Sequence, residues 1–105
     1  MNAQTLSEII DRGYADEAGI AADVIDAITG KAYVLCVNGE VVTLAAADTL
    51  DKVFSDSIDR LDHLEIKSGL FKKTVSFDHG GARYALSVKG GKNVFDYFKL
   101  LAADN

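Results

Sequence analysis

Three short alternating segments followed by an amphipathic helix constrain the fold of this chain most. The segments are residues 64–67, 74–77 and 83–88, and the helix covers residues 94–101 with Asn93 as its predicted N-cap. Alternation of apolar and polar residues predicts strands, whereas apolar residues three and four positions apart predict a helix. We therefore expect a bent antiparallel sheet that is closed by one C-terminal helix.

Two glycines suggest the register of the last hairpin. A two-residue turn at Gly80 and Gly81 places large apolar residues opposite each other and joins opposite charges at the outer end. The predicted cross-strand pairs are Asp78–Arg83, Phe77–Tyr84 and Val75–Leu86. The agreement between turn and pattern makes this register well specified.

A second hairpin is predicted around Asn38 and Gly39, a dipeptide that favours tight two-residue turns. The predicted pairs are Val37–Glu40, Leu35–Val42 and Tyr33–Leu44. The opposite faces of these strands are also largely apolar, so both faces of the hairpin are expected to be buried. One side can line the barrel and the other can receive N-terminal helices, and Cys36 is expected to be buried.

The sequence predicts a helical hairpin over residues 1–30, the N-terminal third of the chain. In the first helix, Thr5 and Glu8 fit a capping box and Gly13 marks the end. The second helix is predicted to begin at Asp16 and to stop at Gly30. Its apolar stripe consists of Ile20, Val24, Ile25 and Ile28.

Residues 48–62 allow two interpretations. Apolar residues at helical spacing favour a helix capped by Thr49. Alternatively, Val53 and Phe54 form a short strand, and Ile58 lies in a turn that leads to Leu64. Periodicity slightly favours the helix, whereas the family resemblance described next favours the strand, which we adopt.

The segment 53–101 resembles the bacterial pleckstrin-homology-like domains. The resemblance rests on a strand leading to Ile58, an alternating strand with a glycine turn at Gly69, the hairpin strand 84–86 and the helix 95–101. It implies an α+β fold in which a bent antiparallel barrel over residues 31–105 is closed by the C-terminal helix. Phosphoinositide-binding members carry basic residues at the first hairpin, and the Asn38–Gly39 tip has none.

Composition restricts the class of protein further. The chain has 105 residues, of which 49% are hydrophobic, so one domain with a real core is expected. No apolar run reaches the roughly 18 residues of a membrane span, and the first residues lack signal-peptide features. With a single cysteine, Cys36, a reduced cytoplasmic setting is the simplest expectation.

Charge is unevenly distributed along the chain. Residues 1–64 carry twelve acidic and four basic side chains, whereas residues 65–105 carry four acidic and seven basic ones. The overall charge of −5 argues against nucleic acid as a partner, since such binding depends on neutralised phosphates. The asymmetry is compatible with a local basic surface or with head-to-tail self-association.

Signals for an enzyme or a metal site are weak. His63 and His79 are far apart in the sequence and have no cysteine or histidine at ligand spacing. The acids at 56, 59 and 62 lack the remaining features of a calcium loop, and residues 90–92 match only part of a phosphate loop. We predict no catalytic residue, cofactor or metal.

Signals for binding are stronger and concentrate near the end of the first alternating strand. Leu70 and Phe71 lie beside Lys72 and Lys73, so they could anchor a protein or enter a membrane interface. Alternatively, Leu70 and Phe71 fold under as a small core at the barrel mouth. The candidate binding residues are Lys67, Leu70, Phe71, Lys72, Lys73, Arg83 and Lys89.

Three functions follow in order of support from the sequence. The first is a non-enzymatic module that binds a protein, including copies of itself. The second is peripheral association with anionic lipid through the basic, apolar loop around Phe71. A small enzyme is the third.

Overall fold

The computed structural model describes residues 1–90 and 92–103. Two helices and seven strands are present in this described part, together with a short 3-10 turn at Ile58–Arg60. They are α1 (Ala3–Asp11), β1 (Ala21–Asp26), β2 (Ala32–Asn38), β3 (Val41–Ala46), β4 (Lys52–Ser57), β5 (Asp62–Ser68), β6 (Lys73–His79), β7 (Ala82–Val88) and α2 (Lys92–Ala103).

All seven described strands form one antiparallel sheet in the order β4-β3-β2-β1-β7-β6-β5. The sheet curls strongly, because the ring of Phe54 on β4 lies 5.9 Å from the ring of Phe77 on β6 although four strands separate them in the sheet. The result is a half-barrel with a C-terminal helix. The predicted bent antiparallel sheet and terminal helix are therefore confirmed.

The inner face of the half-barrel carries the main core. Alternate residues of each strand point inward and meet the buried residues Val94, Phe95 and Phe98 of α2. The helix spans more than the predicted residues, since it begins at Lys92. Asn93 is consequently not its N-cap; its side-chain amide donates to the Gly19 carbonyl at 3.1 Å and ties the helix to the entry of β1.

Helix α1 covers the outer face of β1, β2 and β3. Its N-cap is Asn2, whose side chain accepts from Thr5 N–H, so the predicted capping box is replaced by an earlier start. Ile9 is buried against Cys36 and Leu50, and burial raises the pKa of the Cys36 thiol to about 12. The expected burial of Cys36 and the expected helical cover of this face are both confirmed.

The predicted second N-terminal helix, and with it the helical hairpin over residues 1–30, is wrong. The segment from Ala21 to Asp26 is strand β1, and only α1 precedes it. β1 pairs with β2 on one side and with β7 on the other. The backbone groups of this segment are thus hydrogen-bonded to β2 and β7. This pairing outweighs the helical spacing of its apolar residues, which is compatible with a helix as well as with a strand.

The predicted registers have different outcomes. The β6–β7 pairs Asp78–Arg83, Phe77–Tyr84 and Val75–Leu86 are confirmed. In the β2–β3 hairpin, Asn38 pairs with Val41 instead of lying in the turn, so the predicted register is wrong by two residues. The turn is Gly39–Glu40, with Gly39 at a φ of 61°, and the Asn38 side-chain amide donates to the Gly13 carbonyl at 3.1 Å.

The ambiguous segment after Asp48 contains β4, so the strand interpretation is confirmed. β4 pairs with β3 and leads into the 3-10 turn that begins at Ile58. The turn carries the chain from the β4 edge of the sheet to the β5 edge. The segment therefore connects the two ends of the curled sheet.

One buried acid holds the end of β1. The Asp26 side chain is 1% exposed and accepts hydrogen bonds from Ile28 N–H at 3.2 Å, Ala85 N–H at 3.2 Å and the Thr29 hydroxyl at 2.9 Å. It joins the β1–β2 turn to β7 at the junction between the two halves of the sheet.

Candidate functional site: the tip of the β5–β6 hairpin

The turn between β5 and β6, residues 69–72, is called the tip here. Gly69 N–H donates to the Lys72 carbonyl at 2.7 Å, which closes the turn on two apolar residues. Leu70 is 89% exposed and Phe71 is 96% exposed. The sequence alternative in which these two residues fold under as a small core is therefore wrong.

The base of the tip contacts α2 through Lys73. Phe95 is buried in the main core, and the Lys73 ammonium lies 5.2 Å from the centre of its ring. An ammonium over an aromatic face is attracted by the ring quadrupole. This contact anchors the base of the turn on α2, while Leu70 and Phe71 lie outside the core.

Lysines surround the tip. Lys67, on the strand that leads into it, has its ammonium 3.7 Å from Glu65. Lys72 and Lys89 are exposed and have no ion-pair partner within residues 1–90 and 92–103. The outer surface near Phe71 is thus basic, in contrast to the overall charge of the chain.

Arg83, which sequence reasoning grouped with these lysines, lies at the opposite end of β7 from Lys89. Its guanidinium is 3.3 Å from Asp78 and 3.9 Å from Glu65. At about 3.3 Å per residue, six residues along a strand place the two positions roughly 20 Å apart. The strand register therefore places Lys67, Lys73 and Lys89 near the tip. Arg83 lies far from Lys89, but it contacts the same Glu65 carboxylate as Lys67.

Arg83 belongs to a second group of polar side chains, called the corner here, around the β6–β7 turn. Nδ1 of His63 donates to Asp78 at 2.8 Å, and Nε2 of His79 donates to Asp56 at 3.1 Å. These hydrogen bonds hold the pKa of both carboxyls below the usual range of an aspartate.

The corner also closes the open side of the half-barrel. His79 stacks on Phe54 with ring centres 4.0 Å apart, so β6 and the edge strand β4 are joined by both a stack and a hydrogen bond. His63 adopts a left-handed backbone with φ of 55° where the β5–β6 pairing is irregular. Sequence reasoning missed these pairs because their members are 15 and 23 residues apart.

Two grooves of about 400 and 440 Å³ border the corner. Each carboxyl that accepts from a histidine also contacts an arginine: Asp56 lies 3.6 Å from Arg60, and Asp78 lies 3.3 Å from Arg83. Within the described residues, no group of three histidine, cysteine, aspartate or glutamate side chains could hold a metal ion.

A further groove of about 720 Å³ lies at the end of β2 away from α2. Its wall is formed by alanine methyl groups, Val53 and the rings of Tyr33 and Tyr84, and its two charged residues are Lys31 and Asp48. Burial raises the pKa of Tyr84, with the neighbouring Tyr33 contributing. The groove is mainly apolar and brings no acid–base pair to one point.

No known family model, curated protein or solved structure matches the chain. Among the described helices, neither α1 nor α2 has the length and apolar character required to cross a membrane.

Proposed function

We propose that the chain is a non-enzymatic, pleckstrin-homology-like binding module that contacts a partner protein through the tip. The single curled antiparallel sheet with a terminal helix is compatible with that fold. The proposal rests on one observation above all: Phe71, a large aromatic residue, is 96% exposed on a turn that is closed by the Gly69–Lys72 hydrogen bond.

An exposed aromatic residue on an anchored turn is suited to serve as an interface anchor. Aromatic residues that enter a pocket on a partner contribute a large share of binding free energy, and a rigid turn loses little entropy when it binds. Lys72 and Lys89 lie beside it without acidic partners among the described residues. The expected partner therefore offers an apolar pocket with an acidic rim.

The test compares Phe71→Ser with Leu100→Ser. Leu100 is 69% exposed on α2 and serves as a matched control for removing an exposed apolar residue elsewhere. A partner identified with the unaltered chain is purified and titrated against each variant. Loss of an anchor costs about 2 kcal/mol, or roughly 30-fold in affinity, and we expect this only for Phe71→Ser. Equal effects of both variants would contradict the proposal.

A second candidate is association with an anionic membrane, and the lysines around the apolar tip favour it. Each lysine near a negatively charged lipid surface contributes about 1 kcal/mol, or roughly fivefold in affinity. We expect flotation with phosphatidylserine vesicles to fall by this factor for Lys72→Gln and to be unchanged for Lys52→Gln on β4. No salt-sensitive flotation of the unaltered chain would exclude this candidate and leave the protein partner.

The cytoplasmic setting expected from Cys36 is part of the same proposal. A thiol that is buried and whose pKa is raised to about 12 is unreactive, so it requires no redox partner. Catalysis is not proposed, because the corner pairs are accounted for as contacts that hold the curled sheet together.

A further inference from the structure

Among the described strands, β5 lies at one edge of the sheet. Within residues 1–90 and 92–103 it pairs with β6 alone, so its other side offers backbone groups to a further strand. The Gly69 N–H bond to Lys72 fixes which residues face outward, since hydrogen-bonded and non-hydrogen-bonded pairs alternate along an antiparallel ladder. By this alternation, Ile66 and Ser68 direct their N–H and C=O groups toward the free edge, and Leu64 directs its C=O there.

Charge is segregated along this hairpin. The end of β5 carries Lys67 next to the basic tip. Its beginning, Asp62, lies at the corner, where four aspartates (56, 59, 62 and 78) outnumber two arginines (60 and 83). Two copies of β5 placed side by side and antiparallel bring the basic end of each copy against the acidic end of the other. A parallel arrangement would place like charges together.

We propose that two copies of this chain associate through antiparallel pairing of their β5 edges. This proposal does not depend on the tip as a contact for another protein. The pairing extends the sheet from one copy into the next and satisfies the outward groups of Leu64, Ile66 and Ser68. The interface is isologous, so each residue of one copy meets its counterpart across a twofold axis.

The charges select one register. Three registers keep the outward groups of both copies opposite each other near the middle of β5. Centring on Glu65 places two glutamates face to face, and centring on Lys67 places two lysines face to face. Centring on Ile66 instead pairs Glu65 of each copy with Lys67 of the other, twice, in the closely spaced non-hydrogen-bonded position.

The irregular start of β5 sets the length of the pairing. His63 has a φ of 55°, and the β5–β6 register shifts between Asp62 and Glu65. A bulged, left-handed residue bends the strand and ends regular pairing. The interface is therefore short, covers residues 64–68 and is expected to be weak and dependent on protein concentration.

The experiment measures mass by sedimentation over a concentration series for the unaltered chain, Glu65→Lys and Lys67→Glu. Each single change replaces two attractive pairs by repulsive ones, so the dimer dissociation constant should rise on the order of tenfold. Mixing the two variants restores attraction, because one chain then carries two lysines and the other two glutamates. A heterodimer about as tight as the original dimer is expected.

Two further variants define the surface. Ser68→Pro removes an outward N–H without removing a bond to β6, so it should abolish association while the circular dichroism of the fold is retained. Lys52→Glu reverses a charge on the other edge strand, β4, and should have no effect. A strict monomer, or a dimer unaffected by Glu65→Lys and Lys67→Glu, overturns the proposal. A dimer lost only in Phe71→Ser also overturns it and assigns self-association to the tip.

Discussion

The buried carboxylate of Asp26 provides the most direct test of how the sheet is held together. It accepts three hydrogen bonds, two from backbone N–H groups of Ile28 and Ala85 and one from the Thr29 hydroxyl. Asp26 is 1% exposed, so water does not replace these contacts in the folded protein. Asp26→Ala therefore leaves two backbone donors without an acceptor at the junction of β1 and β7.

The magnitude follows from the donors that lose their partner. An N–H in a partly buried bond that loses its acceptor costs about 1–3 kcal/mol, whereas the Thr29 hydroxyl is exposed enough to turn toward water. Asp26→Ala should lower the free energy of unfolding by about 3–5 kcal/mol. Asp26→Asn retains one acceptor oxygen and the shape of the side chain, so it should cost about 1–2 kcal/mol.

Urea unfolding followed by far-ultraviolet circular dichroism measures both values. With a slope of about 1–3 kcal/mol per molar urea, the midpoint of Asp26→Ala should fall by about 2 M. Thr29→Ala removes one of the three donors and should cost about 1 kcal/mol. Asp51→Ala, on an exposed acid, is the control and should stay within about 0.5 kcal/mol.

A decrease of less than about 1 kcal/mol in the free energy of unfolding for Asp26→Ala would contradict this interpretation, since the two N–H groups would then have found other partners. The interpretation is also contradicted if Asp26→Asn costs as much as Asp26→Ala. That result would mean that the negative charge, rather than the acceptor geometry, stabilises this junction.

Three further outcomes are expected. Hydrogen bonds from histidine lower the pKa of Asp56 and Asp78. The stability that these carboxyls contribute is therefore present above the ordinary carboxyl pKa of about 4 and is lost as pH falls through the lowered values. Urea midpoints measured down to about pH 2 should fall less in a variant that carries both Asp56→Asn and Asp78→Asn. His63 has a left-handed backbone, which glycine adopts without strain. His63→Gly and His63→Ala both lose the bond to Asp78, so His63→Gly should be the more stable of the two by about 1 kcal/mol. The reverse order would contradict backbone strain at residue 63. A chain limited to residues 31–105 lacks β1 and should give a poorly dispersed amide spectrum, because β2 and β7 lose the strand between them; a folded spectrum would show that β1 is dispensable.

The sequence predicts well where local turn chemistry and alternation agree. The β6–β7 hairpin has two glycines at positive φ in its turn and large apolar pairs beside it, and its register is correct. The basic, apolar tip is equally local, since Leu70 to Lys73 are consecutive. Whether Leu70 and Phe71 face solvent depends on how the turn packs against the rest of the fold, and this is why the sequence left two alternatives open.

The failures share one physical cause, which is that remote neighbours decide between locally equivalent patterns. Ile20, Val24 and Ile25 suit a helix, but β2 and β7 provide the hydrogen-bonding partners that make this segment a strand. The β2–β3 register shifts by two residues, a change that leaves the same residues on the same face, so hydrophobic pattern cannot detect it. In the observed register Gly39 begins the turn with a φ of 61°, and Asn38 donates to the Gly13 carbonyl, which is remote in sequence.

The placement of both proposed contact surfaces on one hairpin has a thermodynamic consequence. β5 is an edge strand, and the tip projects beyond the core, so neither surface contributes much to the buried contacts that stabilise the fold. Changes at Phe71, Glu65 or Lys67 should therefore leave the unfolding free energy within about 0.5 kcal/mol. A change in affinity for these variants can therefore be assigned to the lost contact rather than to a loss of folding. A variant at these positions that fails to associate while it unfolds at the same urea concentration has lost a contact and not its structure.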